Sequence, residues 1–181
     1  MTLSKEDGQL YYRLWLPLLD YVNKKYGVRK GLKRMENASS LNPSDVKAVA
    51  NRMYENVTVI DEYLSVHNEI PEEHRKIIES WKKCVSGRFI IERHLKKGSM
   101  LISMEDEKVY QVVGIISSLE EMFQYAPMPL MVEATIMPFK DVIITEGLIM
   151  PFNVIIGKNM SRTFKDVYMA AKKNGEIVNS F

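Results

Sequence analysis

The chain has 181 residues, 46% of them hydrophobic, with 25 Lys and Arg against 23 Asp and Glu for a formal net charge of +2. A chain of this length buries enough surface to fold without disulfides or a structural metal, and its apolarity and low net charge exclude an intrinsically disordered class. Cys84 is the single cysteine, which excludes an intramolecular disulfide framework and a Cys-rich zinc module.

The first 20 residues carry Lys5, Glu6, Asp7 and Arg13 and no uninterrupted apolar core, so a signal peptide is not expected. No run approaches the roughly 18 apolar residues of a spanning helix. A cytoplasmic protein with no membrane partner is the expectation. Residues 1–86 hold 14 basic and 12 acidic side chains and residues 87–181 hold 11 of each, so neither half is a polycation.

In chain order, Ser4 opens the first predicted helix, with Glu6 and Asp7 in its first turn, where the dipole favours negative charge. Leu10, Tyr11, Leu14, Trp15, Leu18, Val22 and Tyr26 form its apolar stripe, Pro17 predicts a kink, and Gly27 ends it. A second helix opens with Asn42 as N-cap and Pro43 at its first position, and its stripe runs from Val46 to Leu64. A third follows Pro71, carries Ile77, Ile78, Trp81, Cys84 and Val85 on one face, and ends at Gly87 as a left-handed cap.

Beyond Gly87 the apolar period shifts from about 3.6 to about 2. Strands are predicted over 88–95, 100–104, 109–116, 130–137, 142–149 and 152–156, with a helical turn over 118–123. A closing helix has Ser161 as its N-cap, buries Phe164, Val167, Tyr168 and Ala171, and stops at Gly175. Short strands joined by tight turns predict antiparallel pairing. The predicted class is α+β, a helical region over 1–86 followed by a small antiparallel, barrel-like sheet with a closing helix over 87–181.

The run Met137-Pro138-Phe139-Lys140-Asp141-Val142-Ile143-Ile144, the triplet Glu146-Gly147-Leu148 and the tail from Gly175 to Phe181 resemble a group of uncharacterised prokaryotic proteins. The resemblance covers about the last third of the chain and implies no activity. Asp141 stands where that group has Gly, a change a turn accommodates because Asp tolerates turn conformations.

Lys24, Lys25, Arg29, Lys30, Lys33 and Arg34 fall together with no acid between them, and Tyr26 lies among them. Such a cluster could neutralise phosphates; its plainer role is a solvated helix end whose cations suit the dipole. Lys158, Ser161 and Arg162 at the start of the last helix form a second candidate, for an anion, without P-loop spacing. Cys84 with His94 would need a lowered thiol pKa. His67, His74 and His94 lack metal-ligand spacing, and Glu105-Asp106-Glu107 lacks a calcium loop's pattern.

Glu133, in an otherwise apolar strand, is a candidate acid for a cleft, or else belongs to a solvated face beside Thr135. Nine of the twelve methionines lie after residue 99 and suit either an irregular core or a partner surface. No cofactor is implied. The expected function is non-enzymatic binding or regulation of a protein or nucleic acid. The alternative is a small-molecule site or enzyme cleft using Glu133, Lys140, Lys158 and Arg162, and a homo-oligomer is a third expectation.

Overall fold

A computed structural model describes residues 1–32 and 41–181, in two compact units: Lys5–Cys84, and Met1–Ser4 with Val85–Phe181. Among the described residues no helix is long and apolar enough to cross a membrane.

The first unit is helical. α1 (Lys5–Tyr26) continues through Pro17, carries acids in its first turn and Lys24 and Lys25 in its last, and buries Leu10, Tyr11, Leu14, Trp15, Leu18 and Val22. α2 (Pro43–Glu55) starts as its sequence dictates: the Asn42 side-chain carbonyl accepts the Ser44 N–H at 2.9 Å, and proline occupies the first helical position.

The predicted stripe from Val46 to Leu64 divides into two helices, with α3 at Thr58–Val66. Asn56 makes the break. Its Oδ1 accepts from the Thr58 hydroxyl at 2.7 Å and backbone N–H at 3.3 Å, a local bond that competes with the helical ladder. α4 (Glu72–Ser80) passes into one 3₁₀ turn, Trp81–Lys83, and Cys84 is already extended.

The second unit is built on a mixed, mainly antiparallel sheet. β1 (Val85–Leu95) includes Gly87, which pairs with Ala134 and has no positive φ; the predicted helix cap there is thus a strand residue. The Glu105 side chain lies over Gly87, where a Cβ would stand 3.1 Å from its Oε1. β2 (Gly98–Ser103) and β3 (Val109–Val113) follow, then α5 (Leu119–Met122), opened by a reciprocal capping box between Ser118 and Glu121.

β4 (Leu130–Phe139) and β5 (Val142–Thr145) form a hairpin around Lys140-Asp141. Its left-handed residue is Lys140, at φ 52°, rather than Asp141. The last strand, predicted over 152–156, is instead β6 (Met150–Pro151), which pairs with Val132 and Glu133.

The strand order is β1-β2-β3-β5-β4-β6, and β1 also pairs with β4 from Val85↔Ile136 to Ile91↔Leu130. β1 to β5 therefore close into a ring of backbone pairing in which β3–β5 is the parallel contact. Phe89, Leu101, Val112, Val132, Ile136 and Ile143 fill one face of this sheet. Across β4 the alternation is as the sequence predicts, with Leu130, Val132, Ala134 and Ile136 on that face.

On the other face, Ile90, Met100, Ile102 and Val109 are covered by α6 (Lys158–Asn174) through Phe164, Tyr168 and Ala171. Burying one such aromatic side chain contributes about 1.5–3 kcal/mol. α6 starts one turn earlier than predicted: Gly157 is the N-cap and its carbonyl accepts the Ser161 N–H at 2.9 Å, so Ser161 lies inside the helix. Gly175 ends it at φ 71°, as predicted. The tail then bonds to β3 through Val178, and the N-terminal residues bond to Gly114.

Candidate polyanion-binding face

The heptad-like positions of α6 decide what it shows to solvent. Positions three and four apart share one face of a helix. Phe164, Tyr168 and Ala171 make the buried line. Lys158, Arg162, Lys165, Met169 and Lys172 recur at spacings of four, three, four and three, forming a second line, with Lys173 beside it. All six are exposed.

α6 thus holds five of the eleven cations of residues 87–181 and one of their eleven acids, Asp166, for a net +4 from five positive charges and one negative. None of the five cations forms an ion pair or side-chain hydrogen bond among the described residues. Asp166, four residues after Arg162, leaves that guanidinium unpaired as well. At 1.5 Å per residue, the line from Lys158 to Lys173 is about 22 Å long. Lys96 and Lys97 add two exposed cations at the turn of the β1–β2 hairpin whose outer face α6 covers.

The basic cluster that stands out in the sequence is differently disposed. Lys24 pairs with Asp20 at 2.6 Å, Lys25 with Glu62, and Arg29 with Asp45 at 2.8 Å. Asn23 grips the Arg29 backbone, accepting its N–H at 2.8 Å and donating to its carbonyl at 3.1 Å. Tyr26, the expected stacking residue, is half-buried under the Arg52 guanidinium, 4.5 Å from its ring centroid. Lys30 is exposed, and Lys33 and Arg34 lie outside the described residues. Three of these cations therefore bind the helical unit to itself.

Of the remaining candidates, Glu133 is exposed on β4, across from Arg88 on β1 and Met150 on β6. Its neighbour Thr135 is not on a solvated face as expected: it is buried, and its hydroxyl meets that of Ser86 at 2.8 Å. The deeply buried acid is Glu146, whose carboxylate accepts the Thr135 N–H at 2.8 Å. The sequence reading runs a strand through it, over 142–149, and so gives it no role; β5 instead ends at Thr145, and Glu146 lies just beyond it.

Cys84 is half-buried in extended backbone, not on a helix face. His67 bonds Glu69 at 2.9 Å and so holds that carboxyl below its ordinary pKa, while His74 lies 3.6 Å from Glu73. His94 Nδ1 meets the Ser99 hydroxyl at 2.7 Å, its Nε2 is buried, and burial lowers its pKa. No three His, Cys, Asp or Glu side chains gather into a metal site among the described residues. In the 105–107 turn, Asp106 pairs with Lys108 at 2.9 Å.

The methionines after residue 99 divide between core and surface. Met100 and Met137 are buried, whereas Met104, Met122, Met128, Met150, Met160 and Met169 are exposed.

Of the face on α6, Lys158 and Arg162 were legible in the sequence. Lys165, Lys172 and Lys173 were missed, because a helix started at Ser161 leaves Lys158 off the wheel and the four-three repeat unseen. Comparison with protein-family models, curated proteins and solved structures finds no match.

Proposed function

We propose that this chain is a non-enzymatic cytoplasmic binding protein that engages nucleic acid through the outward face of α6. The observation that carries this reading is the line of five unpaired cations on one exposed helix face. Unpaired cations retain their attraction for phosphate and release its condensed counterions on binding. Cations already paired within the fold, such as Lys24, Lys25 and Arg29, must first break those contacts.

The closed five-strand order with a short helix between its third and fourth strands adds support. Five-stranded, partly open barrels are among the folds that bind oligonucleotides and oligosaccharides, an analogy of fold and not of site. A chain whose single cysteine is Cys84 has no intrachain disulfide, which suits a reducing cytoplasm.

The test is fluorescence anisotropy with a labelled random-sequence DNA pool at low salt. Wild type is compared with K158Q/R162Q/K165Q/K172Q and with R29Q/K30Q. Loss of binding in the first variant and retention in the second is the expected result. Equal binding by all three proteins contradicts it.

A further inference from the structure

We infer that the nucleic acid recognised by α6 is a duplex, held by its phosphates, rather than a single strand; this rests on the reading proposed above. Two independent features point the same way.

The first is what α6 covers. Five-stranded barrels that bind single strands take them on the face of their second and third strands, where bases stack on aromatic side chains. Here that face is closed. Ile90 on β1, Met100 and Ile102 on β2 and Val109 on β3 are each at most 2% exposed, beneath Phe164, Tyr168 and Ala171. The aromatic rings of α6 are themselves unavailable. Phe164 and Tyr168 point into this layer, and the Arg93 guanidinium lies 4.5 Å from the Tyr168 ring centroid. Glu92 in turn holds Arg93, with one bond at 2.9 Å. A base could reach the sheet only by displacing the helix.

The second is what α6 presents. Its exposed line consists of Lys158, Arg162, Lys165, Met169 and Lys172 with Lys173 alongside, and it includes no aromatic side chain. A single strand bound there would make charge contacts without stacking. Duplex recognition through the backbone needs only cations at fixed spacing. Charge density also favours the duplex. Along about 22 Å it presents about 13 phosphates, against about 6 for one of its strands. A rigid helix offers its cations with the backbone already ordered, which suits a stiff partner.

A 20-base-pair fluorescein-labelled DNA duplex and each of its separated strands serve as probes, titrated with the full chain in 50 mM salt. Vesicles of phosphatidylcholine and phosphatidylserine are tested in parallel. The duplex is expected to bind at least 10-fold more tightly than either strand, and K158Q/R162Q/K165Q/K172Q to lose most of that affinity while keeping its circular dichroism spectrum.

Strands that bind as tightly as the duplex, or more tightly, overturn the inference and leave nucleic-acid binding by α6 intact, provided the variant abolishes it. Binding to vesicles alone, to none of the probes, or to the duplex with equal strength in the variant overturns both. Should the quadruple variant misfold, K165E alone gives the same discrimination: a several-fold loss for the duplex is expected, and none overturns the inference.

Discussion

His94 and Glu146 show how individual side chains set the behaviour of the sheet unit. His94 sits opposite Ser99 in the β1–β2 pairing, bonded to its hydroxyl, with Nε2 buried. Burial lowers its pKa, Glu120 acts in the opposite direction, and the N-terminal amino group adds to the lowering. The folded state therefore prefers neutral His94. Its contribution to stability is present above the unfolded-state pKa of about 6.5 and declines as pH falls below it. Urea unfolding of wild type and H94Q at pH 7 and pH 5 tests this. The stability lost between the two pH values should be smaller in H94Q; an equal loss removes His94 as the cause.

Glu146 makes a different prediction. Its carboxylate takes the backbone N–H of Thr135 inside the fold. E146A leaves a buried N–H without that acceptor, a cost of about 1–3 kcal/mol. A change in urea midpoint equivalent to less than about 0.5 kcal/mol would show that the bond contributes little.

At the scale of elements, most of the chain was legible because its punctuation is local. Asn42-Pro43 starts α2, Ser118 with Glu121 opens α5, and Gly175 ends α6, each by chemistry within a few residues. Errors arose where a local signal met a competing one. The apolar stripe through Val46–Leu64 carries on across Asn56, but an Asn side chain bonded to Thr58 divides the helix. Gly87 resembles a helix stop, yet the chain turns extended at Cys84 and Gly87 is a residue of β1, beneath Glu105.

No local pattern announces the closure of β1 on β4 or the parallel β3–β5 pair, because both depend on contacts distant in sequence. The same holds for the candidate face: charges are visible in the sequence, whereas their pairing is not. Lys24 to Arg34 is the densest basic run, but its partners Asp20, Asp45 and Glu62 come from elsewhere in the helical unit.

Gly98 offers a test at this scale. It has φ 141°, and a Cβ there would stand 2.7 Å from the Val112 carbonyl oxygen on β3. G98A should cost at least about 1 kcal/mol through backbone strain and this clash. Unchanged thermal unfolding would contradict the β2–β3 geometry at the turn.

Taken whole, the molecule is nearly neutral, at +2, so long-range attraction to nucleic acid cannot come from net charge. It must come from segregation. α6 concentrates +4 on one helix, and the acids of residues 87–181 lie almost wholly on other elements. An interface so composed should be sensitive to salt and indifferent to base sequence, because phosphate contacts carry no sequence information directly. Exchanging A·T for G·C pairs throughout a 20-base-pair probe should change its affinity less than two-fold, and a larger change would require contacts to base edges.

The most direct test of this account is the salt dependence of duplex binding for wild type and for single K158Q, R162Q, K165Q and K172Q variants. If four or five cations meet phosphates, the logarithmic slope for wild type should be about −4, and each substitution should reduce its magnitude by about 0.9. A shallow slope near zero, or one that none of the four substitutions alters, would contradict the assignment of α6 as the binding face.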